Sequence, residues 1–192
     1  SHRITQAGFC VEVAATAERH DPWASEVVRL FTSVRFFGGS LSRARCRVYF
    51  VRCEECDPPE AFEDIEPGVV SALTDLGVEL VGSERVHPIF PNANKLVMFD
   101  EPDDESWLVA LDTDTVITGD LGNELRGDAI RARVVDWDPI GMAGQWGSLF
   151  DFFGLQVGPE RLRTTISDSP TIDYFNSGVM FLPPGVSGQL VT

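Results

Sequence analysis

LVALDTDTVITGDL, residues 108–121, is the stretch on which the fold of this chain turns. With Trp107 in front, an unbroken apolar run (Trp107, Leu108, Val109, Ala110, Leu111) leads into Asp112, and Asp114 follows two positions later. A run this short and this apolar reads as a buried strand ending in paired acids. In a strand or its extended continuation, side chains at i and i+2 point to the same side, so the two carboxylates are expected to converge on one cation. Carboxylate oxygens suit Mg²⁺ or Mn²⁺, which are commonly held by one or two protein carboxylates together with phosphates of a substrate. The stretch therefore predicts a metal–diphosphate site at a strand end.

Working outward toward the N-terminus, strands and helices alternate. Residues 9–15 (FCVEVAA) read as a first, mostly buried strand. Asp21 is expected to cap a helix with Pro22 in its first turn, since proline has no N–H to lose there. Val27, Leu30, Phe31, Val34 and Phe37 recur at helical spacing until Gly38 and Gly39 end it. Residues 45–52 read as a second strand, 56–67 as an acidic loop, 68–76 as a short helix, 78–81 as a third strand and 91–99 (PNANKLVMF) as a helix. Such alternation argues for an α/β sheet with helices on both faces. Ligands of these sheets collect at the carboxyl ends of the strands, where Ala15 and Thr16 of the first strand and Asp112, Thr113 and Asp114 of the fourth are expected to share one site.

Downstream, residues 119–131 read as an irregular excursion and 132–137 as another strand. Residues 140–153 are helix-like, although Gly141, Gly144 and Gly147 weaken that pattern, and the polar residues 154–171 are expected to form a mobile loop. A further strand, TIDYFNSGVMFLP, starts polar (Asp173, Asn176, Ser177) and ends apolar, so its polar end is expected to face the site. The last ten residues look like the first turns of an unfinished helix.

The 192 residues suit one domain with a sizeable core, and 43% hydrophobic with 23% charged residues is ordinary for a globular chain. No apolar run approaches the roughly 18 residues needed to cross a bilayer. No signal peptide is seen, Ser1 and His2 read as a tag remnant, and a cytoplasmic location is expected. The formal charge is −15, from 30 acids against 15 bases. Such a surface repels nucleic-acid backbone and anionic lipid, so a phosphorylated ligand would need a cation to mediate. Lys95 is the single lysine among those bases. Cys53 and Cys56 form a C-x-x-C without a second ligand pair of similar spacing, and they read as two reduced loop thiols rather than a zinc or redox site.

NKL (residues 94–96), LVALDTDTVITGDL and DYFNSGVMFL, in this order and at this spacing, resemble nucleotide-sugar glycosyltransferases of the GT-A fold, most of all the glycogenin and bacterial lipopolysaccharide galactosyltransferase group. The likeness spans about residues 8–185. It implies a Rossmann-like mixed, mainly parallel sheet in a single nucleotide-sugar-binding domain over residues 1–192, with a C-terminal part missing. It further implies that Asp112 and Asp114 hold a divalent metal, Mn²⁺ or Mg²⁺, that bridges the diphosphate of a nucleotide-sugar donor, with UDP expected as the nucleotide. Thr113 would lie near the donor ribose, the turn of Ala14, Ala15 and Thr16 against the base, and Lys95 on the donor sugar or phosphates. Asn176 would line the sugar and acceptor pocket, and Asp173 is the candidate base for the acceptor hydroxyl.

The chain departs from the family in one respect. Its members carry a further metal-binding histidine some distance after the F-N-S-G-V strand, whereas the histidines here are His2, His20 and His87. A non-catalytic sugar-nucleotide or protein-binding domain of the same fold is therefore the main alternative. A haloacid-dehalogenase-type phosphatase shares the D-x-D-x-T letters, but needs a lysine downstream of Asp112 and expects the motif on the first strand. A sugar nucleotidyltransferase would want a glycine-rich phosphate loop where this chain reads AATAERHDP.

Overall fold

The apolar run before Asp112 is a strand, β4 (Ser106–Leu111), and every one of its residues is buried. A computed structural model describes residues 10–18, 23–51, 62, 65–87, 91–99, 105–136, 146–156, 158, 162–172 and 174–186. β4 pairs in parallel with β1 (Cys10–Glu18), β1 with β2 (Arg45–Val51) and β2 with β3 (Val78–Ser83). β8 (Phe175–Leu182) runs antiparallel to β4, and β5 (Arg131–Val134) lies beyond it, giving the order β3-β2-β1-β4-β8-β5. The sheet is thus mixed and mainly parallel, as the resemblance implies, within the α/β arrangement that the alternation of elements argues for.

The chain divides into two units, residues 1–131 with 178–192, and residues 132–177. In the first, the period-two alternation of strands sorts side chains onto two faces. One face carries Val13 and Ala15 of β1, Val48 and Phe50 of β2, and Trp107, Val109 and Leu111 of β4. Against it pack Val27, Leu30, Phe31 and Val34 of α1 (Trp23–Phe37) and Val69 and Leu73 of α2 (Pro67–Asp75). The apolar spacing of α1 thus predicts its buried stripe, except that Phe37 in the last turn is exposed. The other face carries Ala14, Tyr49, Leu108 and Ala110, covered by Val97, Met98 and Phe99. Those three belong to residues 91–99, where the expected helix takes the 3₁₀ form, Pro91–Phe99. No helix among the described residues is long and apolar enough to cross a membrane.

In the second unit, α3 (Trp146–Phe152) falls within the helix expected over 140–153, of which residues 140–145 lie outside the described residues. Trp146 packs on Tyr174 with ring centroids 5.1 Å apart. The polar stretch expected to be a mobile loop instead folds back as a small antiparallel pair, β6 (Leu162–Arg163) with β7 (Pro170–Thr171). Its tip is tied by Arg163 Nε donating to Asp168 Oδ1 at 2.7 Å, and Asp168 takes a left-handed φ of 51°, which short polar side chains tolerate. Local polar bonds, invisible to a hydrophobic pattern, hold this hairpin.

The expected cap at Asp21 and Pro22, the C-x-x-C of Cys53 and Cys56, and the terminal residues 187–192 lie outside the described residues.

Candidate functional site

The row Leu108–Ala110 on the second face of β4 continues to Asp112, and the 3₁₀ segment crosses that face above it. Asn94, buried in this segment, accepts a hydrogen bond from the backbone N–H of Val86 at 3.1 Å and so anchors it to the chain after β3. The next residue is Lys95. Its ammonium donates to Asp112 Oδ2 at 2.8 Å and stands 2.6 Å from Oδ1, so the single lysine spans both carboxylate oxygens.

At Asp112 the strand gives way to a turn. The Asp112 N–H donates to the Gly178 carbonyl at 2.8 Å, a last rung toward β8, and the Thr115 N–H donates back to the Asp112 carbonyl at 3.0 Å. Thr113 is buried while Asp114 is exposed. The expectation that extended backbone aligns the two acids is therefore corrected: a turn brings Asp114 to the same pocket. The Thr113 hydroxyl donates to Glu26 Oε2 of α1 at 3.0 Å.

The pocket has a volume of about 370 Å³. It is lined by Lys95, Asp112, Thr113 and Asp114 together with Thr16, Trp23 and Val51. Thr16 Oγ1 is buried and makes no hydrogen bond among the described residues. An unpaired buried hydroxyl is costly unless a ligand completes it.

The turn expected at residues 14–16 is a second correction. β1 continues through Thr16, Ala17 and Glu18, which pair with Tyr49, Phe50 and Val51 of β2. Ala14 and Ala15 consequently lie fully buried inside the sheet, one in each core face, and the pocket wall is made by Thr16 and Ala17. Asn176 sits exposed on the first half of β8, in the second unit. Asp173 lies outside the described residues.

Sequence reasoning does not find Trp23, Asn92, Val51 or Glu26. Trp23 opens α1 and is the one with a readable signal, a tryptophan directly after the expected helix start at Asp21 and Pro22, and the structure leaves it 43% exposed. Glu26 gives none, because its partner is 87 positions away.

Asp112 and Asp114 offer a metal oxygen donors only, the chemistry that Mg²⁺ and Mn²⁺ prefer. No hydrogen bond or ion pair engages Asp114 among the described residues, whereas Asp112 is already paired with a cation. Among the described residues no three His, Cys, Asp or Glu side chains gather as a complete metal set. A divalent ion held by this pair would thus take its remaining ligands from phosphate and water, which fits the two residues present.

Residues 20–187 match the Rhodobacterales glycosyltransferase domain. The chain belongs to this glycosyltransferase family. No curated protein matches the domain in sequence. Among solved structures, mouse xyloside xylosyltransferase 1 superposes with a TM-score of 0.50 at 10% identity, covering 93% of this chain and 68% of that one. At that identity the likeness speaks for the fold alone. The glycosyltransferase GlyE of Streptococcus pneumoniae TIGR4 gives a TM-score of 0.46 at 15% identity, and the domain spans 35% of its length.

Proposed function

We propose that this glycosyltransferase domain binds a nucleotide-diphosphate sugar, with UDP as the nucleotide, and transfers the sugar to an acceptor hydroxyl with the help of a divalent metal. The observation that carries the reading is one pocket lined by two carboxylates, a lysine paired with one of them, an indole and a buried hydroxyl that no described residue completes. A base could stack on Trp23 and complete the Thr16 hydroxyl, while a diphosphate meets charge.

Asp112 and Asp114 would hold Mn²⁺ or Mg²⁺, which as a Lewis acid stabilises negative charge on the departing diphosphate. Lys95 supplies a fixed positive charge on the same side of the pocket, at no reorganisation cost if it stays beside Asp112 as the phosphates arrive. This single cation also offsets the repulsion that a chain of net charge −15 exerts on an anionic donor. Asp173 is proposed as the base for the acceptor hydroxyl and Asn176 as a residue that lines the sugar.

Calorimetric titration of UDP with and without Mn²⁺, repeated on Asp114→Ala, tests the reading. Manganese is expected to tighten UDP binding by at least about tenfold in the wild type and to do nothing in the variant. Equal affinity in all three titrations sinks the proposal. Metal-linked binding with no sugar transfer to any acceptor would favour the non-catalytic alternative.

A further inference from the structure

The segment that leaves β4 with the acid pair does not stand by itself. It is held along α1 and the 3₁₀ turn Gly39–Arg43 at three points spaced seven residues apart on that side. Glu26 Oε2 accepts from the Thr113 hydroxyl at 3.0 Å. Ser33 Oγ accepts from the buried Ile117 N–H at 2.8 Å while donating to the Leu30 carbonyl at 2.6 Å, so its hydroxyl is used in both directions. Ser40 offers its N–H to Asp120 Oδ1 at 3.0 Å and its hydroxyl to the same oxygen. Seven residues are two helical turns, so Glu26 and Ser33 lie on one side of α1 and face successive parts of a single strand exit.

The three contacts are not equivalent. Ser33 and Ser40 satisfy a buried N–H and an exposed carboxylate, duties that any well-folded loop requires. Glu26 instead spends a charged acceptor on the middle residue of the D-T-D turn, within the first turn of α1 where the helix end favours a negative group. Because Thr113 lies between the two acids and its side chain is buried, the rotation of that residue sets where Asp112 and Asp114 point. The bond also commits the Thr113 proton to Glu26, leaving that hydroxyl no proton to donate to a ribose.

We infer that Glu26 is a positioning residue of this active site, acting through Thr113 to hold the D-T-D turn in its metal-binding geometry, with Ser33 and Ser40 completing a splint along the strand exit. The nucleotide part of this inference rests on the proposed function, whereas the turn-holding part does not.

Amide hydrogen exchange reads the turn directly, at the Thr115 N–H that closes it on Asp112. In Glu26→Ala the Thr115 amide is expected to exchange about tenfold faster, the loss of one charge-assisted hydrogen bond, while the Ile117 amide on Ser33 stays as protected as in the wild type. Glu26→Gln, which keeps an acceptor oxygen, is expected to restore Thr115 to within about threefold. In parallel, the gain in UDP affinity from Mn²⁺ should fall about tenfold in Glu26→Ala and return in Glu26→Gln. Wild-type exchange at Thr115 in Glu26→Ala overturns the inference, as does equal acceleration at Thr115 and Ile117, which marks general destabilisation. Unchanged manganese coupling in that variant, measured beside a wild type that shows coupling, overturns it as well. A wild type without coupling sinks the nucleotide reading alone, and the exchange arm then still decides whether Glu26 holds the turn.

Discussion

Lys95 and Asp112 meet because two separate pieces of backbone bring them together, a strand end and a 3₁₀ segment anchored by Asn94. Both residues are readable as candidates from composition and motif alone, one as the chain's single lysine and one as the first acid after an apolar run. The residues at the end of β1 are less legible. Ala14 and Ala15 stand where the resemblance implies a turn, yet pairing with β2 carries the strand three residues beyond Ala15 and moves the pocket wall to Thr16 and Ala17. Hydrogen bonding to a neighbour decides where a strand ends, and polarity is only its proxy. At the same scale, Cys46 is a buried free thiol on β2. Burial pushes its pKa up to about 11, with Arg35 pulling it down and Glu12 adding to the rise. A raised folded pKa means that this contribution to stability is full below the unfolded value, near about 8.5, and is lost as pH climbs toward 11. Iodoacetamide at pH 8, followed by peptide mass spectrometry, should therefore modify Cys46 only in step with global unfolding.

The elements of the first unit are held together by side chains that no periodicity reveals. Arg35, in the last turn of α1, donates Nε to the Leu76 carbonyl at 2.8 Å and Nη1 to the Ala44 and Ser42 carbonyls at 2.8 and 3.0 Å. Nη2 reaches the Gly77 carbonyl at 3.2 Å. One guanidinium thus ties the end of α1 to the turn between α2 and β3 and to the entry into β2. Arg35→Met should lower unfolding free energy by about 2–3 kcal/mol, because carbonyls are left unpaired, and Arg35→Lys should recover little, since an ammonium lacks the planar fork. Urea titration of the three proteins checks this. Helix α1 itself is legible from Val27, Leu30, Phe31 and Val34, whereas its second duty, holding the strand exit, depends on Glu26 and Ser33, with Ser40 of the following 3₁₀ turn, and carries no apolar signature. The glycine pair after α1 reads as a helix stop, and Gly39 does take a left-handed φ of 56°. A Cβ there would also approach the Asp120 side chain at 2.5 Å, so the glycine is required by the neighbour as well as by the turn.

At the scale of the molecule, a formal charge of −15 coexists with a buried ionic cluster on the second sheet face. Arg47 and Glu12, both nearly buried, stand 3.4 Å apart, and Arg47 also donates to Tyr49 Oη at 2.9 Å. Burial works against the Arg47 charge, but Tyr49, Glu12 and Glu79 together raise its pKa. For Glu79, burial is outweighed by the hydrogen bond from Arg45 and the charge of Arg47, and its pKa is lowered. Asp120 is lowered by the hydroxyl and N–H of Ser40 and by Gly122. A depressed carboxylate stabilises the fold above its unfolded pKa and loses that contribution as pH falls through the lower folded value. The urea midpoint should accordingly decline below about pH 4, and Glu79→Gln or Asp120→Asn should each make that decline shallower. The mainly parallel sheet, its apolar central strand and the acid pair after it follow from the sequence itself, because side-chain period and strand-end motifs are local properties of the chain. The turn at Asp112, the pocket wall at Thr16 and Ala17, and the grip of Glu26 on Thr113 were decided only by the tertiary structure, since each depends on partners tens of residues away that register and packing bring into reach.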